Sequence, residues 1–180
     1  MQGQRSAYLA SVVILFSMAA HADAISNLVR DAQKYADCEK RLDDLCILEL
    51  SYADGYLALA SHAVGGVKPT FRDWRAALRN YYERLRTRGG GWSSVDIGPP
   101  TLMIAGQDKR YAIVPVKDAH RAASDQPLVY RTGFLIAVSA DDGETWMLMD
   151  AADVSAESLK HVIPEYDSQP LPPVRSWTEP

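Results

Sequence analysis

Apolar residues recur every three to four positions in the first half of the chain and every two positions in the second half. The first spacing is typical of amphipathic helices, and it predicts three of them. The first begins at Ile25 and has about fourteen residues. The second runs from about Leu45 to Ser61, and the third from about Phe71 to Thr87. Asp43 or Asp44 can cap the second helix, and Thr70 can cap the third.

After the glycines at 89–91 the period of two predicts five strands. They are Trp92–Ile97, Thr101–Ala105, Arg110–Val116, Leu128–Ser139 and Thr145–Asp150. Short polar turns between them indicate hairpins, whereas residues 118–127 predict a longer polar connection. Because Pro115 cannot donate a ladder hydrogen bond, we expect its strand at a sheet edge or bulged at that point. A short helical piece around Ser155–Ile163 precedes a proline-rich segment, residues 168–180, expected to be extended.

Helices followed by hairpin-linked strands predict a segregated α+β fold. The expected architecture is three N-terminal helices packed on a curved antiparallel sheet of about five strands. Residues 25–167 have a size that suits one domain.

The N-terminal residues 1–24 have the pattern of a secretory signal peptide. Arg5 precedes an apolar run from Ala7 to Ala20, which is too short to span a bilayer. Two small-residue motifs of the A-x-A type end at Ala22 and at Ala24, so cleavage is expected after one or the other. We therefore expect a periplasmic or secreted protein without a membrane span.

The net charge and the two cysteines indicate which partners and which covalent links to expect. A net charge of −4 argues against nucleic acid as a partner. The only cysteines, Cys38 and Cys46, would be about 12 Å apart in an unbroken helix, beyond the ~7 Å limit for a disulfide. A disulfide between them, which export favours, therefore requires a turn. The alternative is two buried thiols on a helix. No neighbouring ligands complete a zinc site, and we expect no metal and no cofactor.

The order of elements, with the segments Tyr111–Val116 and Phe134–Ser139 before a tight turn and Trp146, resembles the nuclear transport factor 2-like proteins, especially exported bacterial members. This resemblance implies a cone-shaped fold. Isomerases and dehydratases of that group use a carboxylate or a histidine inside the cone as a general base. The resemblance therefore makes acidic and histidine residues that face the cone candidates for catalysis.

Residues 139–146 fit the S-x-D-x-G-x-T-W pattern of the Asp-box, which is familiar from sialidases. In that motif the Ser and Asp side chains bind turn backbone, the glycine takes a positive φ, and the tryptophan packs beneath the hairpin. The roles expected for Ser139, Asp141, Gly143 and Trp146 are therefore structural, and a single copy does not indicate glycosidase chemistry.

Few residues are candidates for catalysis. Asp54 adjoins the apolar face of the second predicted helix, where burial beside Tyr52 or Tyr56 would suit it to proton abstraction, but a solvated or capping role is the alternative. His62 is expected at a helix end and His120 in the polar connection. No phosphate loop, nucleophile elbow or paired histidine motif occurs.

The third predicted helix carries an excess of basic residues in an acidic chain. Four arginines fall within about 60° of one another on a helical wheel and form an arginine ridge: Arg72, Arg75, Arg79 and Arg86. The ridge is either a solvated face bridged to Glu83, Asp43, Asp44 or Glu49, or a docking surface for an acidic protein or an anionic envelope polymer.

From these patterns we expect an exported protein that binds a small apolar ligand in the cone or a protein partner on its surface, without catalysis. The first alternative is an enzyme of the isomerase or dehydratase type that uses a carboxylate in the cone, with Asp54 as the candidate. The second is a periplasmic inhibitor or immunity protein.

Overall fold

A computed structural model describes the backbone of residues 5–63 and 69–178 and the side chains of residues 22–61 and 69–178. Within these residues four helices come first: α1 (Arg5–Lys40), α2 (Asp44–Leu50), α3 (Ala53–Ala63) and α4 (Phe71–Arg88). The elements that follow are β1 (Gly91–Ile97), β2 (Leu102–Ala105), β3 (Arg110–Arg121), β4 (Val129–Ser139), β5 (Met147–Asp150), α5 (Ala156–Leu159) and β6 (Arg175–Thr178). The expected α+β class is confirmed, because helices precede a strongly curled antiparallel sheet.

The longest strands, β3 and β4, form the centre of the sheet and pair from Arg110↔Ser139 to His120↔Val129. The other edge of β3 is shared, since β2 pairs with its first part and β1 with its last part. Pro115 lies where one partner ends and the next begins, and its carbonyl accepts the Gly98 N–H. The expectation of an edge strand or a bulge at Pro115 was therefore wrong, because β3 is paired on both sides and its register with β4 runs through Pro115 without a shift.

The second predicted helix is broken in two. At Ser51 the backbone is extended, and Ser51 forms a bridge with Leu148 of β5. The Tyr52 N–H then donates to the Leu148 carbonyl at 2.8 Å, and the chain re-enters a helix at Ala53. Pairing with a strand almost a hundred residues away therefore ends the helix at this point. As a result, four helices precede the sheet in the described residues, whereas the sequence pattern predicted three.

The third predicted helix is confirmed as α4, and its N-terminus is capped as expected. Thr70 and Asp73 form a reciprocal capping box, in which the Thr70 hydroxyl accepts the Asp73 N–H and the Asp73 carboxylate accepts the Thr70 N–H. At the other end Gly89 takes a left-handed conformation with φ 64°. These local signals are why the bounds of α4 match the sequence pattern closely.

The first helix is longer than the sequence pattern predicts, since α1 begins at Arg5. Residues 5–24 of the predicted signal peptide belong to this helix. The side chains of residues 5–21 and all of residues 1–4 lie outside the described residues, so export stays a prediction. Within the part of the chain whose side chains are described, no helix combines the length and apolar character that a bilayer span requires.

Two hydrophobic clusters cover the two faces of the sheet. The inner cluster joins α1, α2 and α4 to one face of the sheet, and it includes Leu28, Tyr35, Tyr82, Val114, Leu135 and Trp146. The outer cluster joins the opposite face to the segment after β5, and it includes Ile113, Phe134, Ile136, Leu159 and Ile163. Alternate residues of β3 and β4 therefore face opposite clusters, as the period of two requires.

The predicted disulfide between Cys38 and Cys46 is confirmed. The two Cα atoms are 5.9 Å apart, and α1 ends between them. The expected turn is present, because Leu42 has a φ of 54° and the Asp43 side chain then caps α2 through the Cys46 N–H. The C-terminal proline-rich segment contributes β6, which pairs with β4 and adds a strand to the five expected.

Candidate functional site

The helices and the sheet face that carries the inner cluster line a partly open inner cavity of about 230 Å³. Its lining residues come from α1, α3, α4 and the strands β1, β3, β4 and β5. The aromatic and aliphatic lining residues are Tyr35, Tyr56, Leu78, Tyr81, Tyr82 and Trp92. The polar lining residues are Glu39, His120, Arg131 and Asp150. A cavity of about 150 Å³ holds benzene, so this volume suits a ligand of about one substituted ring.

The strands that line the cavity carry a hydrogen-bonded network of charged residues. Arg131 Nε donates to Asp118 Oδ2 at 2.8 Å, and Arg131 Nη2 donates to Asp150 Oδ2 at 2.8 Å. His120 Nδ1 lies 2.7 Å from Asp118 Oδ1. Asp118 is buried, and its carboxylate can only accept, so Nδ1 carries a proton and donates. Asp118 thereby holds the His120 ring and the Arg131 guanidinium in place.

Strand register explains how these side chains meet. Asp118 and Arg131 are directly paired across β3 and β4. Asp118 and His120 continue the alternation of Ala112, Val114 and Val116, which face the inner cluster. The predicted loop at residues 118–127 was therefore wrong for residues 118–121, including His120, because β3 continues to Arg121 with polar residues facing inward, whereas residues 122–127 form a connection as expected.

Glu39 of α1 faces the same cavity and is only 8% exposed. Among the described residues its carboxyl has no hydrogen-bond or ion-pair partner. Burial, and secondarily the charges of Asp150 and Asp118, raise the pKa of Glu39 to about 8, although Arg131 opposes the shift. Glu39 is therefore largely protonated at neutral pH and has an O–H available for donation.

Trp92 of β1 supplies the second unpaired donor. Its Nε1 is buried and has no hydrogen-bond partner within the described residues. The indole ring stacks on Tyr82 at a centroid distance of 5.9 Å and also contacts Tyr81 and His120. Ring packing thus fixes the position of the indole while its N–H remains unused.

The remaining polar groups of the cavity are neutral tyrosines. Burial raises the pKa of Tyr35, Tyr56 and Tyr82 above the ordinary range, so their hydroxyls stay protonated. The Tyr56 hydroxyl accepts the Asp150 N–H at 2.9 Å, which ties α3 to β5. The arrangement is suited to bind a ring between aromatic walls and to donate hydrogen bonds to an acceptor on that ring.

The predicted catalytic candidates lie elsewhere. Asp54 is exposed in the first turn of α3 and is not among the residues that line the cavity, in agreement with the solvated alternative. The side chain of His62 lies outside the described residues. The cavity carboxylates Glu39 and Asp150, and the buried Asp118 that holds His120 and Arg131, were missed in the sequence analysis. Within the described residues, no group of three or more histidines, cysteines or acidic residues is arranged to hold a metal ion.

The arginine ridge is exposed along α4. Arg79 and Arg86 approach Asp44 of α2, with shortest nitrogen–oxygen distances of 3.5 Å and 3.2 Å. Arg86 also donates to the Leu42 carbonyl. Arg72 and Arg75 form no ion pair across the fold among the described residues. Of the ion-pair partners expected for the ridge, Asp44 therefore binds Arg79 and Arg86. The docking role of the ridge stays a prediction.

The turn between β4 and β5 has the hydrogen bonds that the Asp-box pattern implies. The Ser139 hydroxyl accepts the Gly143 N–H at 2.8 Å and donates to Asp141. Asp141 accepts the N–H and hydroxyl of Thr145, and the hydrogen bond from that hydroxyl is the main reason that the pKa of Asp141 falls to about 2. Gly143 has a φ of 100°, and Trp146 is buried below it.

Helix α1 holds this turn from the other side. Asp31 Oδ2 accepts the Trp146 N–H at 3.0 Å, and Asn27 donates to the Gly143 carbonyl at 3.1 Å. The Trp146 indole N–H is shared between the carbonyls of Ala24 and Gly143. At this turn, therefore, both the Trp146 indole N–H and the buried Asp31 carboxylate have hydrogen-bond partners.

Comparison of the chain with protein-family models, with curated proteins and with solved structures found no match.

Proposed function

We propose that this protein is a binding protein for a small ligand that enters the inner cavity and carries a hydrogen-bond acceptor on a largely apolar ring. Trp92 Nε1 is the observation that carries the proposal. A buried donor without a partner costs about 1–3 kcal/mol, so proteins rarely retain one without a use for it. The aromatic walls and the unpaired Glu39 carboxyl support the same conclusion, since both favour an uncharged ligand with an acceptor.

We place this binding outside the cytoplasm. The disulfide between Cys38 and Cys46 supports that location, because such bonds persist in oxidising compartments. The predicted signal peptide would deliver the chain there. A soluble carrier or sensor of small molecules in the bacterial envelope fits both features.

Matched tryptophan variants test the proposal. We expect acetophenone, a one-ring aryl ketone, to raise the melting temperature of the wild type, and related amides and phenols serve as further probes. Trp92→Phe keeps the stacked ring but deletes the donor, so the affinity should fall about tenfold. Trp146→Phe deletes an indole N–H outside the cavity and should leave the affinity unchanged. Equal affinities for Trp92→Phe and the wild type, or no stabilisation by any probe, would contradict the proposal.

A proton-transfer enzyme is the second candidate, and the His120–Asp118 contact favours it. Asp118 orients the ring and fixes the tautomer, so Nε2 of His120 is free to accept a proton from a bound substrate. Glu39, protonated at neutral pH, can donate to the developing oxyanion. The reaction would move a proton from a carbon next to a carbonyl group and return it elsewhere on the same molecule.

Exchange of that carbon-bound proton separates the two candidates. A β,γ-unsaturated cyclic ketone of one ring is incubated with the protein in D₂O, and deuterium uptake and conjugation are followed by NMR and ultraviolet absorbance. The enzyme predicts uptake that His120→Asn abolishes while the ketone still binds. Binding without uptake above the buffer rate supports the carrier.

A further inference from the structure

Ala24 is part of the folded core, although it lies at the end of the predicted signal peptide. It is 2% exposed, and its carbonyl accepts the Trp146 indole N–H at 3.1 Å. Its side chain lies so close to Gly143 that a Cβ at that position would collide with it. Among the residues of α1 whose side chains are described, Ala24 is the first that is buried against the turn.

The two residues before Ala24 are exposed. A chain that begins at Asp23 keeps the Ala24 contacts and places a carboxylate at the positive end of α1, which is favourable. A chain that begins at Ile25 lacks the Ala24 carbonyl and leaves a void beside Gly143. Both chains begin with an ammonium group, which the helix dipole disfavours, but the chain that begins at Ile25 has no carboxylate in its first turn to offset that charge.

We infer that the exported chain is cleaved between Ala22 and Asp23, although the A-x-A pattern ending at Ala24 also permits cleavage before Ile25. The inference depends on the predicted export of the chain and is independent of ligand binding in the inner cavity. The bond that is cut lies in the exposed part of the chain, and the residues that follow it complete the packing of Trp146.

Determining the N-terminus of the exported protein tests the inference. The full chain is produced in a bacterium that secretes it, and the protein from the envelope fraction is analysed by N-terminal sequencing and intact mass. We expect a chain that begins at Asp23. A chain that begins at Ile25, or an uncleaved chain that begins at Met1, would overturn the inference.

Stepwise truncation tests its physical basis. Four chains beginning at Ala22, Asp23, Ala24 and Ile25 are prepared from a cleavable fusion with the disulfide formed. Removing Ala22 or Asp23 should change the melting temperature by at most about 3 °C, whereas removing Ala24 should lower it by about 5 °C or more. An effect for Ala24 no larger than that for Ala22 would overturn the inference.

Discussion

Two tryptophans divide this molecule into regions that treat polar groups differently. Under the turn between β4 and β5, the Trp146 indole N–H has two carbonyl acceptors and its backbone N–H has a carboxylate. In the wall of the inner cavity, the Trp92 indole N–H is equally removed from water and has no acceptor within the described residues. Helix α1 serves both regions, with Ala24 and Asp31 at the turn and Glu39 at the cavity.

The difference separates residues that maintain the fold from residues available to a ligand. Satisfied buried groups contribute stability because removing one partner leaves the other without a hydrogen bond. An unsatisfied buried group contributes none and destabilises the unliganded protein. The turn is therefore a structural region, whereas the cavity lining keeps two groups, Trp92 Nε1 and the Glu39 carboxyl, without a partner in the described residues; under the proposed function a ligand supplies that partner.

The largest effect is expected beside the cavity, where Asp118 is a buried carboxylate with hydrogen bonds to the lining residues His120 and Arg131. Asp118→Asn removes the charge that Arg131 and His120 face, so we expect the free energy of unfolding to fall by about 3 kcal/mol. Urea denaturation measures the change. Asp96→Asn, on an exposed position of neighbouring β1, is the control and should cost less than about 0.5 kcal/mol. Equal costs would show that the network does not hold the cavity together.

Glu39 provides a pH test of the unsatisfied class. Its pKa of about 8 in the folded protein exceeds the ordinary value of 4.5, so the unfolded chain loses its proton first as the pH rises. Folding is most favoured below pH 4.5, where Glu39 is protonated in both states, and stability falls as the pH rises, until the folded Glu39 also ionises near pH 8. We expect this loss to be on the order of 3 kcal/mol.

Glu39→Gln is the matched variant, because the amide has the same shape and does not titrate. Its free energy of unfolding should vary less than that of the wild type between pH 5 and pH 8, with the other facing groups Asp118, His120, Arg131 and Asp150 unchanged. Parallel pH profiles for the two proteins would mean that Glu39 is solvated or paired, and the comparison of the two regions would fail.

Breaking the disulfide should destabilise the cavity end of α1 more than the turn end. The loop between Cys38 and Cys46 is short, and its closure should stabilise the protein by about 2 to 3 kcal/mol in the chain-entropy description. Urea denaturation with and without a phosphine reductant measures this difference. Hydrogen exchange should show faster opening near Glu39 than near Asp31. Uniform loss of protection along α1 would contradict this prediction.

The smallest effects are expected on the arginine ridge. Asp44→Asn removes the partner of Arg79 and Arg86 and should cost about 0.5 to 1 kcal/mol, since these pairs are partly exposed. Arg75→Gln removes no ion pair and should stay within about 0.5 kcal/mol of the wild type. Thermal melts of both variants measure these costs. If Arg75→Gln is as costly as Asp44→Asn, intramolecular bridges explain more of the ridge than the structure indicates.

Local signals account for the parts of the fold that the sequence predicted. Thr70 and Asp73 define the start of α4, and period-two runs define the central strands. The break at Ser51 depends on pairing with Leu148, and β6 depends on pairing with β4, and neither partner is apparent from local sequence. Helix count and strand count therefore differed from expectation for the same physical reason.

The cavity residues were missed because polarity was taken to mean exposure. Asp118 and His120 continue the inward alternation of β3, and Glu39 follows Leu28, Ala32 and Tyr35 at helical spacing. Both signals are present in the sequence. What the sequence lacks is the packing of α4 and β1 that encloses these side chains, since enclosure distinguishes an inward carboxyl from one at the end of an exposed strand.

Melting temperatures of Trp92→Phe and Trp146→Phe, measured without ligand, test the central claim most directly. Each variant removes one indole N–H and retains an aromatic ring. The account predicts that Trp146→Phe lowers the melting temperature by about 6–12 °C, because two acceptors lose their donor and a core ring shrinks. Trp92→Phe should leave the melting temperature within about 2 °C of the wild type or raise it, because no hydrogen bond is lost. A large decrease in melting temperature for Trp92→Phe would show that the indole N–H already has a partner, and it would contradict the proposal that a ligand binds in the cavity.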